Sequence, residues 1–210
     1  LNIVDLKDAI GYISNIMQEN KDYLIQLDQQ NGDGDLGLTM SSGYKAIYDF
    51  LKETEEVDLG KALMKCSTIF NETAPSTLGT ITSLGLMGMA KALKGKTDAN
   101  LSDIALAMEA GIDKIMEKAK SKPGDKTILD SLFPAIQALK EHAEEGSEKA
   151  FKISYEAAKE GSENTRNMRS VHGRAAYYGD KCIGIIDGGS VVGKLIFESL
   201  YNYSTRNKGE

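Results

Sequence analysis

Apolar side chains recur at helical spacing along most of the chain. Ile3, Leu6, Ile10, Ile13 and either Ile16 or Met17 share one face of a helix predicted over Ile3–Asn20, and Lys21–Asp28 reads as a second, short helical piece. Met40, Tyr44, Ile47 and Leu51 mark a helix over Leu38–Glu56, and Leu63, Cys66 and Ile69 mark the next over Leu59–Phe70. The pattern returns in Ile81–Leu93, in Leu101–Lys120 through Ile104, Met108, Ile112 and Ile115, and in Val191–Tyr203. Glu141–Arg166 is highly charged with alanines at helical spacing and reads as a solvated helix face. No period-two run of β-branched residues interrupts these segments, so the chain is expected to be all-α.

The breakers agree with that reading. Pro75, Pro123 and Pro134 each fall near an expected helix start, where a missing N–H costs little. Gly85, Gly88 and Gly95 imply close helix packing, with Gly95 as the C-cap of its helix. Met87 and Met89 read as core filler. Gly95-Lys96-Thr97 ends like a phosphate-binding P-loop, but Ala90 stands where that loop needs glycine and no strand precedes it.

With 210 residues, 41% hydrophobic and 27% charged, the chain can bury a real core, and one domain over 1–210 is expected. A net charge of -6 argues against nucleic acid, whose binders carry basic stripes. Two cysteines, Cys66 and Cys182, form neither a disulfide framework nor a metal-ligand spacing, which favours a reducing cytoplasm. No apolar run reaches the roughly 18 residues of a membrane span, and no signal segment is evident, so no membrane association is expected.

Against that acidic background one turn stands out: Leu27-Asp28-Gln29-Gln30-Asn31-Gly32-Asp33-Gly34-Asp35-Leu36-Gly37-Leu38-Thr39-Met40. Asp28 ends one helical pattern, and glycines alternating with Asp33 and Asp35 let the backbone fold back so that all three carboxylates converge. Hard cations such as Mg²⁺ favour oxygen ligands of this kind, completed by water and substrate phosphates. A calcium EF-hand is excluded, because Leu36 and Ser42 occupy the places of its obligatory Gly and Glu. A solvated Asp/Gly turn without metal is the other reading of the spacing.

Three further stretches carry candidate chemistry. Asn71–Thr80 places Ser76 and neighbouring hydroxyls at a helix start, which is either an anion site or an ordinary N-cap. Lys122–Ala135 is a turn feeding a helix, where Asp125 can cap near Thr127 and Asp130 pairs with a basic side chain, accepts from a loop amide or is solvated at the surface. Gly173–Gly179 offers Arg174, a planar fork suited to phosphate or to a surface ion pair, ahead of Asp187-Gly188-Gly189 at the start of the last helix. His142 reads as an exposed helix residue without chemistry, and His172 is ambiguous.

Four of these segments, in order, resemble the motifs of the DhaL family, the nucleotide-binding subunits of bacterial dihydroxyacetone kinases. They are the Asp28–Met40 turn, Pro123-Gly124-Asp125-Lys126-Thr127 with Asp130 and Pro134, Gly173-Arg174-Ala175 with Tyr177, and Asp187-Gly188-Gly189. The resemblance spans almost the whole chain. It implies an antiparallel barrel of about eight amphipathic helices, with nucleotide and metals at one end. By the same resemblance Asp28, Asp33 and Asp35 hold two Mg²⁺ ions and act with Arg174 in phosphoryl transfer. ADP or ATP is lined by Leu36, Gly37, Leu38, Thr39, Pro75, Ser76, Ala119, Ile128, Arg174, Asp187, Gly188 and Gly189.

The implied activity passes a phosphoryl group to dihydroxyacetone, or a similar short keto-sugar, held on a triose-binding DhaK-type subunit. In the PEP-dependent version ADP stays bound as a coenzyme and a DhaM-type phosphotransferase protein recharges it; a homodimer is left open. The chain departs from the family pattern at Leu36, Pro75, Thr77, Ala119 and Gly188, which keeps a second reading in view: a divergent paralogue that binds ADP-Mg as a regulatory or interaction module.

Overall fold

A computed structural model describes residues 1–206; positions 207–210, the end of the unit expected over 1–210, lie outside the described residues. Nine α-helices are formed among the described residues: α1 (Ile3–Glu19), α2 (Lys21–Asp28), α3 (Leu36–Glu53), α4 (Leu59–Thr73), α5 (Thr77–Ala92), α6 (Leu101–Ala119), α7 (Leu129–His142), α8 (Ser147–Asn164) and α9 (Gly188–Thr205). These residues contain no strand, as the periodicity requires. Local chemistry starts most of them. Asn2 with Asp5 and Asn100 with Asp103 form reciprocal capping boxes for α1 and α6, while Asp58, Ser76 and Asp187 cap α4, α5 and α9.

Eight of the helices close into a ring. Each of α3 to α9 packs on its chain neighbour, α1 packs on α3, and the contact of α1 with α9 completes the circuit; short α2 lies against α3. Neighbours run antiparallel. Gly60, at the start of α4, meets Ala90 and Lys94 at the end of α5, and Gly161, near the end of α8, meets Asp130 and Pro134 near the start of α7. The Tyr203 hydroxyl, late in α9, donates to Asp5, early in α1 (3.0 Å). Apolar stripes from all eight helices face inward and surround a cavity of about 160 Å³, lined by residues such as Ile10, Leu63, Met108, Ile112, Phe151 and Phe197.

Small residues let the helices approach. At Gly88 a Cβ would overlap the Ala110 carbonyl and Gly111 of α6, so that crossing exists only because the position is glycine. Ser67 and Ser83 exchange reciprocal bonds between α4 and α5, each hydroxyl donating to the other's carbonyl at 2.8 and 2.9 Å. Alternation then sorts the connections. The turns 54–58, 93–100 and 143–146 fall at one end, with the amino terminus donating to the Ala99 carbonyl. The turns 29–35, 74–76, 120–128 and 165–187 fall at the other.

Four local expectations need correction. Pro134 lies inside α7, where it offers no N–H to the Asp130 carbonyl, and α8 closes over that carbonyl at Gly161. Asp125 does not cap α7; it accepts instead from the Lys122 N–H and from His172 (3.0 and 2.9 Å). Glu141–Arg166 is not one solvated helix, because Gly146 at φ 92 ends a 3-10 turn and starts α8, whose Phe151, Ser154 and Ala158 are buried. Gly95 has the positive φ expected of a helix terminator, but it lies beyond the C-cap, which is Leu93.

Gly88→Val should therefore lower stability by about 1–3 kcal/mol by driving α5 from α6. Chemical denaturation measures it, and an unmoved midpoint would contradict the close crossing.

Candidate functional site

The acidic turn is built from the backbone outward. Asp28 is the last residue of α2, and its carboxylate accepts from the Gly34 N–H (2.8 Å) and, at longer range, from the Leu36 N–H (3.4 Å). Gly34 takes φ 79, which a side chain would resist, and so turns Asp33 and Asp35 back toward Asp28. One carboxylate oxygen from each of Asp28, Asp33 and Asp35 lies within 4.8 Å of the other two. Asp35 occupies the N-cap position of α3 without using its side chain as a cap, and its carboxyl instead approaches that of Asp33.

Such a cluster is electrostatically unfavourable by itself. Partial burial, followed by the charges of Asp33 and Asp28, holds the Asp35 carboxyl above its usual pKa, and Arg174 only partly offsets them. The donors are all hard oxygens, the set that Mg²⁺ takes together with water and phosphate oxygens. The residues present therefore fit that cation.

Opposite the turn hangs a long flap between α8 and α9. Its ends are stapled together: Thr165 Oγ1 accepts from the Asp187 N–H (3.0 Å), and the Gly184 N–H donates to the Arg166 carbonyl (2.7 Å). From this closed root the segment Arg174–Cys182 winds as 3-10 turns kinked at Gly179, and Arg174 reaches Asp33 at 2.9 Å. Arg174 and the acidic turn, far apart in sequence, thus face one another.

The other expected residues divide into four groups. Asp187 caps α9 through the Ser190 N–H (2.6 Å), and Gly188 lies against Leu36, with Gly189 beside the backbone N of Ile128. A Cβ at Gly188 would fall 2.7 Å from Leu36 Cδ2, so two departures from the family pattern touch: the missing side chain at 188 makes room for Leu36. Gly37 is buried against the Lys21 carbonyl, Thr39 continues α3, and Leu38 is exposed. Ser76 uses its hydroxyl to cap Gly79, Pro75 precedes it, and Ala119 ends α6 packed on the core. These three share an end of the ring with the acidic turn by helix alternation. Ile128 is buried and lines the central cavity, so its side chain lies beneath the surface of that end.

A family model for the DAK2 domain matches residues 30–202. The chain belongs to the DAK2-domain family. It is 28% identical over 184 residues to the "PEP-dependent dihydroxyacetone kinase 1, ADP-binding subunit DhaL" of Listeria innocua, covering 88% of both chains. To the triokinase/FMN cyclase of Mus musculus it is 32% identical over 183 residues, which is 86% of this chain and 31% of that one. The fold is shared with the crystal structure of the C. freundii dihydroxyacetone kinase in complex with AMP-PNP and Mg²⁺ (TM-score 0.74, 20% identity, 93% of this chain and 33% of that one). The chain thus spans most of the bacterial subunit but about a third of the two larger proteins.

Within this DAK2 domain burial decides between the open readings of Asp130 and gives Lys126 a place that its sequence did not suggest. Asp130 is buried and accepts from the Gly124 and Thr127 N–H groups (both 2.6 Å), so it shapes the turn before α7 and is not solvated. Lys126, next to the Asp125 singled out from the sequence, is buried at φ 62. Burial lowers its pKa, and the neighbouring Cys182 and Asp187 partly restore it. The sequence offered the amide-accepting role of Asp130 among its readings but none for Lys126, because a buried lysine in a turn looks like any surface lysine.

Burial raises the Asp187 carboxyl to about 7, against the lowering effect of the Ser190 N–H; Asp130 and Asp28 add to the rise and Lys126 opposes it. The unfolded chain releases this proton near 3.8, the folded chain near 7. Stability from this group is therefore complete below the lower value and is lost as pH rises toward the higher one. Asp187→Asn, which can keep the cap, should flatten that decline. Denaturation midpoints collected across the window test it, and the same slope in both proteins would refute the assignment.

Proposed function

We propose that the chain is the nucleotide-binding subunit of a dihydroxyacetone kinase, holding a Mg²⁺-nucleotide at the acidic turn and passing its terminal phosphoryl group to dihydroxyacetone, or a similar short keto-sugar, on a separate triose-binding DhaK-type subunit. The observation that carries this reading is the convergence of Asp28, Asp33 and Asp35 beneath Arg174. Membership in the DAK2 family and likeness to a named ADP-binding subunit over 88% of both chains support the nucleotide and the reaction class. The PEP-dependent route, with ADP retained as coenzyme and recharged by a DhaM-type phosphotransferase protein in the cytoplasm, is the form that this likeness favours. Among the described residues no helix is long and apolar enough to cross a membrane.

Phosphoryl transfer asks little covalent chemistry of the protein and depends on positioning and charge compensation. Bound Mg²⁺ supplies the counter-charge that lets an anionic polyphosphate lie beside three carboxylates. The chain does the rest. The Gly34 and Leu36 amides orient Asp28, the first turn of α3, which no side chain caps, presents N–H groups to anions, and Arg174 offers a second, permanent positive charge from the flap. Leu38, Val171, Tyr177, Tyr178 and Ile183 are exposed on the turn and flap around this end, as suits a rim that another subunit covers.

Asp33→Ala should abolish retention of ADP while leaving helicity intact. Nucleotide released on denaturing the purified protein is the readout, and undiminished release from the variant would overturn the metal assignment. Transfer of phosphate to dihydroxyacetone in the presence of a triose-binding subunit tests the acceptor; tight Mg-ADP binding without transfer to any short keto-sugar would overturn the kinase reading.

A further inference from the structure

Among the described residues Lys126 is the only lysine or arginine in the buried class, at 4% exposure. Its backbone sits at φ 62, a region that side chains rarely adopt and that persists only when the surroundings hold it. Those surroundings lie in the flap. The three ammonium protons are matched by three backbone carbonyls: Met168 on the entering limb (3.2 Å), and Cys182 and Ile185 on the returning limb (2.6 and 2.7 Å). One side chain therefore ties both limbs to the turn before α7. The preceding residue reinforces it, since the Asp125 carbonyl accepts from the Val171 N–H (3.2 Å) and the Asp125 carboxylate pairs with His172 Nε2 (2.9 Å). Arg174 leaves the flap just past this anchor and spans the gap to Asp33 at 2.9 Å.

We propose that Lys126 is a positioning residue for the nucleotide site: by fixing both limbs of the flap it sets how far Arg174 reaches toward Asp33 and toward phosphates held there. The role rests on the Mg-nucleotide reading of the acidic turn and extends it to a residue that touches neither metal nor phosphate. A long loop has many conformations, and an arginine at its tip contributes only in the fraction that points inward. An ammonium that spends all three protons on the loop's own carbonyls removes most of the others before ligand arrives. Lysine suits the task because its flexible stem brings a compact charge to three acceptors at once.

The test uses the full chain and its Lys126→Met, Arg174→Gln and doubly substituted forms, with Mg-ADP affinity measured by calorimetry and folding checked by circular dichroism. Lys126→Met should weaken Mg-ADP binding about tenfold, the size of effect that coupled neighbours show. In the Arg174→Gln background the same substitution should change affinity by less than about twofold, because the group that Lys126 positions is already gone. Equal losses in the two backgrounds, or no loss in either, would overturn the role. Amide hydrogen exchange without nucleotide is read alongside: Met168–Ile185 should exchange faster in Lys126→Met while α3 and α6 keep their protection, and an unchanged flap overturns the anchor. If Lys126→Met does not fold, His172→Gln loosens the same root from the Asp125 side and should show the same dependence on Arg174, with equal losses again counting against the proposal. Failure of the unsubstituted chain to bind Mg-ADP overturns the nucleotide reading, whereas binding with additive losses overturns the Lys126 role alone.

Discussion

Each helix of this chain carries one apolar stripe, and no stripe is fully buried until α1 meets α9 and the ring closes. Closure works only with antiparallel neighbours at short range, which glycines such as Gly60, Gly88 and Gly161 permit by letting backbone approach backbone. Antiparallel order has a second effect. Successive turns must alternate between the two ends, so four segments separated by long stretches of sequence are gathered at one of them. The chemistry of the molecule follows from that sorting: the acidic turn, the Ser76 cap, the Lys122–Ile128 turn and the flap all lie at the same end.

At that end the dominant force is repulsion between like charges. Three carboxylates within 4.8 Å of one another, in a chain of net charge -6, are a poor resting arrangement without a cation. The fold holds them there by covalent means and by amide hydrogen bonds, with Asp28 fixed at a helix end and its carboxylate bonded to the Gly34 N–H. Asp187, half-buried at the same end, has its carboxyl pushed up to about 7 chiefly by desolvation, and the charges of Asp130 and Asp28 add to the rise. A divalent ion carrying a polyphosphate, the occupant proposed for this turn, would relieve that repulsion.

Positive charge answers the acidic turn at two depths, from the flap and from the turn before α7. Arg174 is exposed and faces Asp33, where it can exchange one anionic partner for another. Lys126 is buried and faces only carbonyl oxygens, where it has nothing to exchange. The same charge thus serves a mobile role at the tip and a fixed one at the root. Dielectric environment separates them: an ammonium enclosed by carbonyl dipoles is held firmly, whereas a guanidinium in contact with water moves at small cost.

Periodicity alone was enough for most of the helices and for the all-α class, because burial of one helix face leaves a spacing that can be read directly in positions such as Ile104, Met108, Ile112 and Ile115; the charged stretch 141–166 hid the break at Gly146. The acidic turn was legible for a similar reason, since three aspartates and their glycines lie within one short stretch and local geometry must bring them near one another. Proximity of Arg174 to Asp33 came from resemblance, not spacing; acceptance from a loop amide was one of the open readings of Asp130, and the roles of Lys126, His172 and Thr165 were not legible at all. Each of these depends on which distant backbone groups the ring delivers to the same end. A charge in a turn has one meaning in water and another beneath a flap, and only the closed tertiary structure decides which solvent it meets.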